Sequence, residues 1–405
     1  MDKCYTITML ATPLLSLAVL FTTCAAAQEW TDRAEYDLAL SVRAQPTPQA
    51  RLALIDQWRK RYPNSPSRAA RAELALGAAQ VLGDSSRILE SARDLVGADP
   101  NSFTGLYWIA VLVPTQSLTP ALEPAQLAEA EGAARKLVKG AEAYFSSEAG
   151  QASAPQKKQV LAIAHRTLGW VEWRRKSLDA ALVELQASLD LNPRLAEASA
   201  WTGAILAPNP DRVKKTKALW HLARASFLEG EGALPAQQRR EVRELLETAY
   251  MSHHGALDGL EELGVKTRDS VMPPEPFVIE SAVEVAARKA DEALAQANPQ
   301  MFEWIKIRRR LAGPDSDAEF HKLEAGPLPT MKAYVIRCEG GPKPSEVVVG
   351  VQDSSVEEMV LKLDAKLPKC PDTGLAVEFE GTPVTYTKDP FRMMVTVDSK
   401  AVRGW

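Results

Sequence analysis

The stretch that most constrains this chain is residues 162 to 193, AIAHRTLGWVEWRRKSLDAALVELQASLDLNP. Its apolar residues recur at helical spacing on either side of a short polar break at Lys176-Ser177, which predicts two helices folded back on each other. Gly169 in the first and Ala181 in the second are small where two backbones must cross closely. Leu185 is sized to fill the groove beside them, and Pro193 cannot continue the second helix. One such pair cannot bury its own apolar face, so the segment demands neighbours of the same kind.

The rest of the first three hundred residues supplies them. Residues 30 to 63 read as one helix near WTDRAEYDLALSVR and another near PQARLALIDQWRKRY, closed by Pro63. Residues 67 to 100 read as SRAARAELALGAAQVL and SSRILESARDLVGADP, closed by Pro100, an interval of 37 from Pro63. Looser pairs follow: FTGLYWIAVLV with AQLAEAEGAARKLVKGAEAYF across a proline-containing insert at 114–124, and LAEASAWTGAILA with RVKKTKALWHLARASFLEG, before PAQQRREVRELLETAYMSHHG. Leu168-Gly169, Ala181, Leu185 and Pro193 resemble the consensus of the tetratricopeptide repeat (TPR), a unit of about 34 residues. The segment departs from that consensus in the first helix, where Trp170 and Trp173 flank the aromatic position, and at 185, where Leu stands for Phe. The resemblance implies an α-α solenoid whose first helices line a concave face suited to peptides or partner proteins.

Beyond Met331 the period changes to two. KAYVIRC, EVVVGVQD, EMVLKLD, LAVEFEG and FRMMVTV predict five short strands, with Val347, Val349 and Val351 on one face and Leu375, Val377 and Phe379 on another. Asp372-Thr373-Gly374 and Gly381-Thr382-Pro383 read as turns. TGLAVEFEGTPVTYTKDPF resembles the fourth and fifth strands of the oligonucleotide/oligosaccharide-binding (OB) fold, which implies a small barrel. Between the regions, GVKTRDSVMPPEPFVI reads as an extended linker, followed by two helices, SAVEVAARKADEALAQAN and PQMFEWIKIRRRLAG, with His321 in a loop beyond them. The expected fold is therefore mainly α: a signal segment at 1–27, TPR-like repeats at 28–265, a linker with two helices at 266–328, and a β-barrel at 329–405.

The N-terminus carries Lys3, an apolar run from about Met9 to Phe21, and the small residues Ala25, Ala26 and Ala27 before Gln28. That is the pattern of a secretory signal peptide cleaved after Ala27, and it places the mature chain in the periplasm or outside the cell. A lipoprotein reading through Cys24 fits less well, because Thr23 replaces the usual small residue before it. Of four cysteines only Cys338 and Cys370 remain after cleavage; in an oxidising compartment they are expected to form a disulfide, the alternative being two separate buried thiols. A formal net charge of -4 offers no global field for nucleic acid, and residues 326–405 hold 10 Lys+Arg against 11 Asp+Glu without an aromatic stripe for base stacking.

Chemistry concentrates in one place, YMSHHGALDGLEELG at 250–264. On a continuous helix His254, Asp258 and Glu261 or Glu262 would share a face and serve a metal. Gly255 and Gly259 argue instead for a helix that ends near His254 with Gly255 as a left-handed cap, Asp258 then starting a short helix with Glu261 as its capping-box partner. No nucleophile elbow, phosphate loop or dinucleotide fingerprint occurs, and no cofactor or metal is expected. The order of parts, with Y-x-x-H-H-G-x-x-D-G-L, P-P-x-P-F-V-I and a terminal G-W, resembles exported TPR proteins of soil bacteria such as acidobacteria, which implies a shared architecture and no chemistry. The expected role is a non-catalytic interaction scaffold of the cell envelope. Its partner-binding surface is expected around Trp108, His165, Arg166, Trp173 and Trp201, with Leu168, Gly169, Ala181, Leu185 and Pro193 as structural residues of the repeat. The alternatives are glycan or small-ligand binding by the β-domain, and a metal-dependent hydrolase at His253 or His254.

Overall fold

A computed structural model describes residues 32–116 and 124–405. The signal segment, Cys24 and the middle of the 114–124 insert lie outside the described residues. The chain divides into two compact units, Met1–Ala282 and Val283–Trp405.

The first unit is a run of helix pairs: α1 (Arg33–Ala44) with α2 (Pro48–Arg61), α3 (Arg68–Leu82) with α4 (Ser85–Ala98), and α5 (Phe103–Gln116) with α6 (Pro124–Ser146). After the single turn α7 (Glu148–Gln151) come α8 (Lys157–Arg174) with α9 (Leu178–Leu191), α10 (Ala196–Leu206) with α11 (Arg212–Phe227), and α12 (Ala236–His254) with the short α13 (Leu260–Thr267). Side chains placed just ahead of the helices fix several starts. Asp32 accepts from the amides of Ala34 and Glu35, Thr47 from Ala50, Asp84 from Arg87 and Asp211 from Lys214.

Gly169 and Gly203 show why the pairs repeat. A Cβ on Gly169 of α8 would lie 2.7 Å from Leu185 of α9, and one on Gly203 of α10 would lie 2.7 Å from Leu222 of α11. Each glycine thus lets its helix touch a buried leucine of the partner helix, and the two stand 34 positions apart (203 minus 169), one TPR period. Leu168, Ala181 and Leu185 are buried as packing residues. The first pair and α3 share a smaller core around Ile55 and Trp58, whose indole N–H donates to buried Glu35 at 2.7 Å.

The second unit begins at Val283 and so includes helices that the sequence places in a linker. It contains most of α14 (Ala282–Ala297), then α15 (Pro299–Ala312) and α16 (Ser316–Glu324), which takes His321 out of the expected loop. Trp304, Ile307 and Leu311 of α15 and Phe320 of α16 join the inward residues of the sheet in one core, which is why these helices belong with the sheet. The strands are β1 (Met331–Glu339), β2 (Glu346–Gly350), β3 (Met359–Leu363), β4 (Ala376–Phe379), β5 (Thr382–Lys388) and β6 (Phe391–Val397), in the order β4-β1-β2-β3-β6-β5. β3 and β6 run parallel and the other neighbours antiparallel. The two outer strands, β4 and β5, are consecutive in the chain with only Glu380 and Gly381 between them, so one bent strand joins both edges of the sheet, as in an OB-like barrel.

Gly381-Thr382-Pro383 is therefore a bend rather than a strand-ending turn, and a sixth strand follows it. A Cβ on Gly381 would lie 2.5 Å from Val395, so only glycine permits the close approach. Pro383, which has no N–H, sits where the β5–β6 register shifts. Val347, Val349, Val351, Val377 and Phe379 point into the core as their alternation predicts. Cys338 at the end of β1 is bonded to Cys370 in the β3–β4 connection, with Cα atoms 5.9 Å apart.

Candidate functional site

The five residues expected to bind a partner do not form one exposed face. Trp108, Arg166 and Trp201 are 6%, 3% and 2% exposed, so they are packing groups; only His165 and Trp173 are half-exposed. Arg166, Trp173 and Trp201 do come together. The Arg166 guanidinium lies 5.6 Å from the Trp201 ring centroid, and the Trp173 and Trp201 rings are 6.4 Å apart. Arg166 also pairs with Glu197 of α10, tying consecutive first helices. His165 faces α9, where its Nδ1 contacts Glu184 at 2.7 Å, and Trp108 packs edge-on to Tyr107.

Arg166 is buried where it answers a break in α5. Pro114 lies inside α5 and brings no amide hydrogen, so the carbonyl four residues earlier, that of Ala110, loses its helical donor. Arg166 Nη2 donates to that oxygen at 2.9 Å and to Val111 O at 3.2 Å, while Thr167 Oγ1 donates to Ala110 O at 2.7 Å. Two side chains of α8 thus take up an acceptor that the helix break leaves open.

A second concentration of donors lies at the end of the first unit. Trp220 and Arg224 stand one turn apart on α11, and the chain after α13, which bends at 268–269, 271–272 and 275–276, passes beside them. Arg224 Nη1 donates to the carbonyls of Thr267 (2.6 Å), Arg268 (3.1 Å) and Ser270 (3.1 Å), and its Nη2 to that of Pro193 (2.6 Å). Burial lowers the Arg224 pKa from its ordinary value, the nearby charge of Arg194 adding to the effect. Trp220 donates its indole N–H to Ser270 O at 3.3 Å and packs edge-on against Phe277, ring centroids 5.1 Å apart. Beside them His221 is 1% exposed, and its pKa is pushed down to about 4, first by burial and then by Arg224 and Lys217.

The His-His segment holds the far end of the same stretch. α12 ends at His254 with Gly255 in the left-handed region at φ 85°, as the sequence predicts. The start of α13 differs from expectation: Gly259, also left-handed at φ 81°, is the N-cap, and no side chain caps the helix. Asp258 contributes only its carbonyl, which accepts from Tyr250 Oη at 2.8 Å, and Glu261 pairs with Arg243. His253 donates through Nε2 to Ile279 O at 2.9 Å, and His254 through Nδ1 to Glu280 O at 2.8 Å. Each imidazole is thereby committed to main chain, and among the described residues no three His, Cys, Asp or Glu side chains gather as a metal set.

Three short basic runs, 174–176, 212–217 and 308–310, are partly spent on internal contacts. Arg175 pairs with Glu131 and Glu172, Lys215 donates to Ala207 O, Arg308 pairs with Glu358, Arg309 with Asp291 and Arg310 with Glu319. In the barrel unit Glu358 is 2% exposed and accepts from Arg308, Trp304 and the amides of Val351 and Gln352, while Arg337 and Arg392 both pair with Glu357.

No family model matches the chain, and no curated protein matches it. Among solved structures, a chain titled "MamA RS-1 ArsTM double mutant" is similar over 53% of this chain and 96% of its own, at 16% identity and a TM-score of 0.28. A likeness of that size carries no argument about this protein. Sequence reading missed Trp220, Arg224 and the use of Phe277 and Ile279. The available signal was a Trp and an Arg at i and i+4 on one helix, followed by an alternating Phe-Val-Ile after a proline run.

Proposed function

We propose that the first unit is a non-catalytic protein-binding scaffold that recognises an extended segment of a partner protein, and that the chain is exported through residues 1–27 to act in the cell envelope. The observation that carries this reading is the groove at α11–α12. There, side-chain donors on helices hold the stretch after α13 by its carbonyls, groups that any peptide main chain offers, on a repeat scaffold whose stacked helices present extended binding surfaces. The paired cysteines are compatible with an oxidising compartment. Among the described residues no helix is long and apolar enough to cross a membrane.

Trp173 and His165, both partly exposed on α8, are two further candidate contacts, a ring beside Trp201 and an imidazole facing α9. The test is recovery of a partner from envelope extract by the full chain, compared with Trp173→Ala and His165→Ala. A protein recovered by the unaltered chain and lost with the variants supports the reading, and recovery of nothing by the unaltered chain defeats it. Ligand binding by the barrel is the weaker reading, since Arg337, Glu357, Glu358 and Arg392 are already paired with one another or with main chain.

A further inference from the structure

The segment Ser270–Glu280 is held by the helical unit in the manner of a bound peptide. Donors reach its main-chain carbonyls at both ends: Arg224 and Trp220 at Ser270, His253 at Ile279, His254 at Glu280. Two side chains anchor it. Phe277 packs on Trp220, and Ile279 is 7% exposed, whereas Val278 between them is 51% exposed. That alternation is the signature of an extended chain with one face bound. The middle, Pro274, Glu275 and Pro276, is exposed. Carbonyl recognition ignores side-chain identity, so the groove's selectivity lies in an aromatic residue followed two positions later by an aliphatic one.

We propose that this groove is a peptide-docking site whose resident occupant is the chain's own strap, and that a partner engages by offering an extended aromatic-x-aliphatic segment that displaces it. The inference rests on the scaffold reading above and adds the partner's chemistry and an internal competitor. A strap tethered in cis is present at an effective concentration on the order of millimolar, so only a partner of greater affinity or local abundance opens the groove.

The experiment measures fluorescence anisotropy of a labelled synthetic peptide, DSVMPPEPFVIES, the sequence of residues 269–281, against two full-length chains. One chain is unaltered, and the other carries Phe277→Asp and Ile279→Asp. The expected result is binding at least about tenfold tighter to the altered chain, as removal of a tethered competitor requires, and loss of binding when the peptide's Phe is replaced by Ala. A folded altered chain that binds the peptide no better than the unaltered one overturns the proposal. If the double variant loses its helical circular dichroism, Phe277→Leu replaces it, with a smaller gain expected and no gain again overturning the idea. Strap exchange between two copies, seen as a dimer of the unaltered chain that Phe277→Leu dissolves, assigns the groove to self-association and overturns the partner assignment. Because the probe is a peptide of known sequence, failure here is separable from failure to capture a partner at Trp173 and His165.

Discussion

Arg166 on α8 and Arg224 on α11 are each 3% exposed, and each reaches across to a neighbouring segment, yet they are satisfied differently. Arg166 has a carboxylate, Glu197, together with two carbonyls of α5. Arg224 has four carbonyls and no carboxylate among its hydrogen bonds. The first arrangement neutralises a charge inside a stack of full-length helices. The second meets the charge with dipoles, from α13, its continuation and Pro193, Asp269 adding only a nearby charge, because the final helix of the stack stops at Thr267 and the strap takes its place. A closed ion pair fixes two helices to each other, whereas a guanidinium that donates to carbonyls can serve any main chain that presents them. On the docking proposal the difference separates a structural layer from a binding groove, and each half of it can be attacked.

The largest effect is expected at the ion pair. Arg166→Met leaves Glu197 without its buried partner and should cost about 3 to 5 kcal/mol, read as a lowered midpoint in urea. Arg166→Met combined with Glu197→Leu should recover much of that loss, and a double variant as unstable as the single would show that the pairing is not what matters. Next comes acid. His221 stays neutral in the fold to about pH 4 but takes a proton near pH 6.5 when unfolded. Its folded pKa is depressed, so the native state is undisturbed above pH 6.5 and loses stability as pH falls from there to about 4, by roughly 3 kcal/mol in all. Denaturation midpoints of His221→Leu and the unaltered chain across that range should diverge in the direction of a flatter profile for the variant; parallel profiles would remove the acid sensitivity from the α11 layer.

How much of this was open to sequence reading depends on the range of the interaction. Gly169, Ala181, Leu185 and the cap at Gly255 were legible because helix crossing and helix ending are decided by residues close in the chain. The Cys338–Cys370 bond was legible because two cysteines leave one pairing. Burial of Arg166 was not, because it depends on Ala110 and Pro114, more than fifty residues away on α5, and Trp201 is covered in turn by Arg166 and Trp173. The same is true of Trp304 and Glu358, which draw α15 into the barrel unit. The strap escaped for a different reason: a run with three prolines in four positions carries every mark of a solvated linker, and only Trp220 and Arg224, contributed by another helix, give its flanks something to bind.

The glycine crossings offer a control that should not distinguish the two layers. Gly169→Ala and Gly203→Ala each place a Cβ against a buried leucine at the same distance, so each should cost about 1 to 3 kcal/mol through overpacking. Unequal losses, read as thermal midpoints, would mean that one layer yields more readily than its contacts imply.

The smallest effects are the most discriminating. Gly255 is left-handed, where a side chain costs about 1 to 2 kcal/mol, and its new Cβ would also stand 3.0 Å from that of Ala282. Gly255→Ala therefore acts on the end of α12 and lowers overall stability. His253→Ala removes one hydrogen bond to Ile279 O, worth about 1 kcal/mol, and touches no helix crossing. If the strap is a docked segment, His253→Ala should speed proteolytic cleavage at Phe277–Glu280 several-fold while the helical circular dichroism melts almost unchanged, and Gly255→Ala should lower the melt with less effect on strap cleavage. If both variants lower the melt equally and neither exposes the strap, the groove is simply the end of the stack, and Arg224 differs from Arg166 in its partners but not in its role.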